Sequence, residues 1–369
     1  MRFYCPACNA RDIDPLRTYQ CPNCSGPIEC IPAPAAFPRR KISERPPTPW
    51  RYAEALPEWA GALSLGEVMT PLVPFDVAGR RTLFKCDYLQ PTGSYKDRGA
   101  ALLMGYAQRN GVREAVEDSS GNAGAALSAY AARADIELKV FCPASASPAK
   151  LAQITRYGAE LVPIEGPRPH ATQALLEYIA ESDSVYASHL WNPLFNYGLQ
   201  TLAFELAEQL DWQAPDIVFC PVGAGSILLG LYDGFVRLIE AGAIDRLPKL
   251  VAVQAAHVAP LYSAWKNNAS DVSPFPHPLP TRAEGIALPQ PVRGAALLRA
   301  LRAVDGCVVA VTEGDIEKGI AHLGRGGLCV EPTSAVVWQG IQTYCTEHGV
   351  DANATLVGIL SGHGLKGLS

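Results

Sequence analysis

Downstream of Leu83 the chain alternates strand-like runs with helix-like stretches, and this alternation limits the fold more than any other feature. Residues 115–118 precede a helical stretch at 123–134, and residues 138–142 precede another at 148–157 that stops at Gly158. Residues 217–220, 250–253 and 307–311 are further apolar runs, short enough for parallel strands buried on both faces. Thr312 and Asp315 have the spacing of a helix-opening capping box, with Asp in place of Glu. The pattern predicts an α/β fold with mostly parallel sheet flanked by helices, and with sites at the carboxyl ends of strands. At 369 residues, 48% of them hydrophobic, the chain can bury a core large enough for two domains and a small appendage.

The appendage is at the N-terminus. Cys5 and Cys8 form one C-x-x-C pair, Cys21 and Cys24 a second, and twelve residues separate the pairs. Four thiolates in two knuckles suit one tetrahedral zinc ion, which holds together a segment too short to fold alone. With four protein ligands no position stays open, so the expected role is structural. The other seven cysteines are scattered, as expected of reduced thiols in the cytoplasm rather than of a disulfide framework. Residues 1–51 hold eight basic and four acidic side chains, a net +4, whereas the whole chain carries −5. The whole-chain balance gives no general attraction for nucleic acid or membrane. A ribbon that touches nucleic acid is the rival to a solvated linker at residues 32–62, and sparse aromatic residues favour the linker. No apolar run reaches bilayer length, and the first residues lack a signal-peptide pattern.

Residues 91–100 read Pro-Thr-Gly-Ser-Tyr-Lys-Asp-Arg-Gly-Ala: a turn, an N-cap residue at Ser94 and a helical run over 95–110. This puts Lys96 in the first helical turn. Helix-dipole fields and dry pockets favour neutral, nucleophilic amines of the kind that form Schiff bases. A solvated helix-start lysine is the alternative that local chemistry leaves open. Asp118-Ser-Ser-Gly-Asn-Ala-Gly124 lies between a strand end and a helix start. Ser119, Ser120 and Gly121 there can cradle a carboxylate, and Asn122 offers a neutral donor; a plain tight turn is the rival. Pro221-Val-Gly-Ala-Gly-Ser226 opens a helix after a strand, so Gly223, Ala224, Gly225 and Ser226 suit a phosphate. A dinucleotide fold fails here, because position 228 is Leu and the next strand ends at Gln254, not at an acid.

These motifs, with the closing Ser361-Gly-His-Gly-Leu-Lys366, resemble those of threonine synthases and other fold-type II pyridoxal phosphate enzymes. The resemblance implies two open, twisted, mostly parallel sheets. It implies a large cofactor-binding domain at 63–92 and 190–369, a small domain at 93–189 and a zinc ribbon at 1–31. In that family the lysine carries the cofactor, which implies that role for Lys96. Asn122 would contact the cofactor ring oxygen, residues 223–226 its phosphate and Ser361 its pyridine nitrogen. Ser119, Ser120 and Gly121 would bind the substrate carboxylate, with Lys85, Ser120 and Arg98 the nearest cations or donors for a substrate phosphate. Glu284 and Glu331 match supporting positions, and relatives are usually homodimers.

The pattern also departs from the family. Tyr95 stands where Phe is usual, Ala224 and Ser226 replace two glycines, and Gln90 stands for Asn. Tyr197 and Gln200 occupy positions where Glu and Lys are usual, positions expected to face the substrate side chain. The implied reaction is conversion of O-phosphohomoserine and water to threonine and phosphate. The departures keep a second expectation open, β-replacement or β-elimination on O-phosphoserine or a hydroxy amino acid. A catalytically inactive ribbon-bearing binding protein is the third.

Overall fold

The computed structural model describes residues 1–146 and 148–367. The chain divides into two compact units. One comprises Met1–Val68 and Lys96–Gly198; the other comprises Met69–Tyr95 and the chain from Leu199 onward. The division falls inside the lysine motif, between Tyr95 and Lys96. It groups the ribbon, the linker and residues 190–198 with the unit expected to be the small domain. Residues 368 and 369 of the expected large domain lie outside the described residues.

The second unit is built on a six-stranded sheet. Its order is Cys307–Val311, Lys249–Ala255, Ile217–Pro221, Leu356–Leu360, Arg80–Cys86, Leu72–Val77. All neighbours are parallel except the last pair, a hairpin in which Leu72 faces Lys85 and Val77 faces Arg80. Ile217–Pro221 and Leu356–Leu360 are buried at every residue. This is why those stretches read as continuous apolar runs: helices cover both faces of a parallel sheet. Pro332–His348 packs along most of the sheet, Ile217–Pro221 and Lys249–Ala255 included; Ser226–Glu240 packs on those same two strands, and Gly294–Ala303 on Lys249–Ala255. The expected capping box is present, with Thr312 accepting from the Asp315 backbone and Asp315 from that of Thr312. Residues 271–291, dense in proline, hold only the single turn Glu284–Ile286 as regular structure.

The first unit has a four-stranded parallel sheet in the order Glu160–Ile164, Glu137–Pro143, Glu114–Glu117, Val185–Tyr186. The helices Lys96–Arg109 and Asn122–Ala134 pack together, and their Ala- and Leu-rich faces share one core with the ribbon residues Phe3, Ile13 and Ile28. In the ribbon, Arg2–Tyr4 pairs antiparallel with Glu29–Ile31. Asn192 donates to the Pro15 carbonyl at 3.1 Å, a second tie between the ribbon and this unit. The linker is less solvated than expected. Ile42 and Tyr52 are fully buried, and Arg45 holds Glu54 with both terminal nitrogens.

Candidate active site

In the second unit, the first half of the lysine motif is laced to the end of the chain. The Tyr95 N–H donates to the Ser361 carbonyl at 2.9 Å, and the His363 N–H donates to that of Gly93 at 2.9 Å. Lys366 Nζ donates to the Thr92 carbonyl at 2.8 Å. His363 and Lys366 therefore serve to close this turn. The Ser361 side chain is fully buried; its hydroxyl lies 3.1 Å from Ser334 Oγ and 3.5 Å from Glu331 Oε1. Ser334 also accepts from the N–H groups of Ser361 and Gly362. Glu331 thus takes part in holding Ser361, a supporting place of the kind its motif implied.

The glycine loop joins the same network. Gly225 has φ of +84°, and a Cβ there would lie 2.3 Å from Leu297 Cδ2, so glycine is required on both counts. The N–H groups of Gly223, Ala224 and Gly225 meet no acceptor among the described residues. They lead into a fifteen-residue helix, Ser226–Glu240, that has no side-chain N-cap. Unsatisfied donors at a helix start fit a phosphate group. Ser226 Oγ lies 3.2 Å from the Tyr95 hydroxyl. Two departures from the family pattern, Tyr for Phe and Ser for Gly, are therefore hydrogen-bonded to each other.

In the first unit, Lys96 is the first residue of its helix and is 9% exposed. Its Nζ lies 5.5 Å from the centre of the Phe195 ring. The loop before Asn122 folds tightly onto the helix it opens, because a Cβ on Gly124 would lie 1.9 Å from the Ser119 carbonyl oxygen. Ser119 Oγ accepts from the Gly121 N–H at 3.3 Å. Ser120, half-buried, makes no hydrogen bond to another described residue, as a cradle for a carboxylate requires. Beneath this loop sequence reasoning missed a cluster. Glu117 and Asp118 are buried beside His189, and His189 also stacks edge-on against Phe195.

Lys85 does not stand where a substrate phosphate would need it. It is wholly buried in the second unit, with Nζ 2.6 Å from Glu205 Oε2, 2.6 Å from the Thr70 carbonyl and 2.8 Å from Gln209 Oε1. Those three bonds use all three donors of an ammonium group. Arg98 is likewise fully buried. The two altered positions on the helix Pro193–Gln209 also have partners in the protein. Tyr197 donates to the Ala55 carbonyl, and Gln200 Oε1 accepts from Arg237 at 2.8 Å.

At the N-terminus, the Cys5 and Cys24 sulfurs are 3.4 Å apart, Cys8 and Cys21 are 3.5 Å apart, and all four sulfurs lie within 4.8 Å of one another. Zn–S bonds of about 2.3 Å in a tetrahedron separate sulfurs by roughly 3.8 Å, which this cluster matches. Each knuckle closes on a left-handed residue, Asn9 or Ser25.

The first unit thus holds a buried lysine at a helix start, and the second holds a donor-lined loop at a helix start of the kind that fits a phosphate. Comparison with known proteins agrees. The description "Pyridoxal-phosphate dependent enzyme" belongs to the family profile that matches residues 63–362. The threonine synthase of Methanocaldococcus jannaschii is 32% identical over 368 residues, covering 96% of this chain and 90% of that protein. That of Methanosarcina acetivorans is 31% identical, covering 98% and 91%. Among solved structures, a threonine deaminase from T.th. matches with a TM-score of 0.66 at 25% identity, covering 80% of this chain and 92% of that one. The chain belongs to the family of pyridoxal-phosphate dependent enzymes, in its fold-type II branch.

Proposed function

We propose that this enzyme, a threonine synthase-like pyridoxal phosphate-dependent lyase, converts O-phosphohomoserine and water to threonine and phosphate. One observation carries the reading: the similarity to threonine synthases runs through nearly the whole chain. Placement of Tyr197 and Gln200 on Ala55 and Arg237 supports it, since these departures are accounted for without the substrate. Phosphate release measured side by side on O-phosphohomoserine and O-phosphoserine is the test. Release from the first ester alone is expected; release from O-phosphoserine alone would replace the reading with β-replacement or β-elimination on a shorter amino acid.

Pyridoxal phosphate, when bound, supplies an electron sink for charge developing at the substrate α carbon. Lys96 would hold the cofactor through Nζ, and the same atom, when free, would take the α proton of the substrate. Gly223, Ala224, Gly225 and Ser226 take the cofactor phosphate, and Asn122 takes its ring oxygen. Ser361 meets the pyridine nitrogen with a neutral hydroxyl. A hydroxyl does not hold that nitrogen protonated as a carboxylate would, which suits elimination and replacement better than transamination. Ser119, Ser120 and Gly121 orient the substrate carboxylate; Lys85 is left out of this set, because its donors are spent.

Cys5, Cys8, Cys21 and Cys24 hold one structural zinc ion in this reading. The enzyme works in the cytoplasm as a homodimer; no helix among the described residues is long and apolar enough to cross a membrane. Cys8→Ser should release the metal and lower the thermal midpoint, because Phe3, Ile13 and Ile28 share the unit's core. Turnover per folded molecule should stay unchanged. Metal analysis of the wild type that finds no zinc would remove the assignment.

A further inference from the structure

At the carboxyl end of the strand Glu114–Glu117, two buried carboxyl groups follow one another, and nothing in the reaction above uses them. Asp118 is fully met: Tyr186 donates to Oδ1 at 3.0 Å and Thr172 donates to Oδ2 at 2.6 Å. Glu117 is met on one side. Its Oε1 lies 2.5 Å from His189 Nδ1, while Oε2 is buried with no hydrogen-bond partner among the described residues. Two ionised carboxylates in so dry a place repel each other and forgo hydration, and one bound proton relieves both. A cation fits less well. Bonds of about 2.0–2.2 Å to nitrogen and oxygen keep tetrahedral ligand atoms roughly 3.4 Å apart, well beyond the Glu117–His189 separation.

The surroundings decide which partner holds the proton. Burial, then the charge of Asp118, pushes the Glu117 carboxyl well above the usual range. Burial, then the positive charges of Lys96 and Arg168, pushes the His189 imidazole well below it. Asp118, Tyr186, Lys96 and Arg168 are the titratable groups that face the pair from the loop, the neighbouring strand and two helices.

We propose that Glu117 is a neutral carboxylic acid at neutral pH, donating to His189 Nδ1, and that this uncharged pair sets how tightly the Ser119–Asn122 loop binds the substrate carboxylate. The inference rests on the reading of that loop as the carboxylate site. Glu117 and His189 are positioning residues and need not touch the substrate. As pH rises the pair gives one proton to solvent, leaving a Glu117 carboxylate against His189 with its remaining proton on Nδ1. The pair then changes from neutral to −1 directly before the loop, and an anionic substrate is repelled.

The test has two arms on the holoenzyme. In infrared difference spectra at neutral pH, the wild type should show a protonated-carboxyl band that Glu117→Gln lacks. In kinetics, wild-type KM should rise about tenfold from neutral pH to the alkaline limit, while KM for Glu117→Gln stays flat. The kcat profiles should keep one shape, and the ratio of the two KM values cancels the substrate's own ionisation. If Glu117→Gln fails to fold, Asp118→Asn decides: removing that charge should move the KM rise to lower pH. Absence of the band, an unchanged KM slope in Glu117→Gln, or a metal ion lost on that substitution would each overturn the proposal. The infrared arm stands even if O-phosphohomoserine is not the substrate, and the kinetic arm then uses whichever ester releases phosphate.

Discussion

Lys96→Ala should lower phosphate release by roughly 10³-fold or more while leaving the fold intact. The lysine opens its helix, and alanine is a good helix former, so the backbone has little reason to change. In the proposed role of Lys96, the covalent hold on the cofactor and the amine that takes the α proton are lost with the side chain. Lys96→Arg should be nearly as inactive, because a guanidinium keeps the charge but forms no Schiff base. Comparing the two separates a chemical role from an electrostatic one. Circular dichroism checks the fold, and visible absorbance reports the bound cofactor. Near-normal turnover in Lys96→Ala would end the assignment.

Lys85→Met should cost about 3–5 kcal/mol of stability, because it strands the Glu205 carboxylate in the core. The pair is fully buried, and the carboxylate also accepts from the Thr70 N–H at 3.3 Å. Replacing both partners, Lys85→Met with Glu205→Leu, should recover most of the loss, since apolar groups of similar volume carry no desolvation penalty. Denaturant unfolding of the two variants measures the difference. The folded fraction of either variant should keep the KM for its phosphorylated substrate. A single variant as stable as wild type, with a weakened KM, would return Lys85 to the substrate.

What could be read along the chain was what is local. The apolar runs appear as strands within a few residues of their expected ends, because a parallel strand covered on both faces must be apolar throughout. The capping box at Thr312 and the two cysteine knuckles are set by neighbours three to five residues apart, which is why spacing alone predicted them. Lys96 and the Asn122 loop were legible for the same reason: each is a helix start after a turn.

Tertiary structure decided the partners. Lys85 looked available because it lies near the lysine motif in sequence. Its strand instead runs through the sheet, and Glu205, 120 residues on, neutralises it. Tyr197 and Gln200 stand at positions expected to face a substrate; packing gives them Ala55 and Arg237. His189 had no motif at all. It reaches Glu117, 72 residues earlier, because Val185–Tyr186 pairs in parallel beside Ala115 and Val116. Pairing of distant parallel strands has no local signature, since each strand only needs to be apolar. The chain alone therefore marked the turns and helix starts at which a site is proposed, and the sheet register chose which buried charges stand beside them.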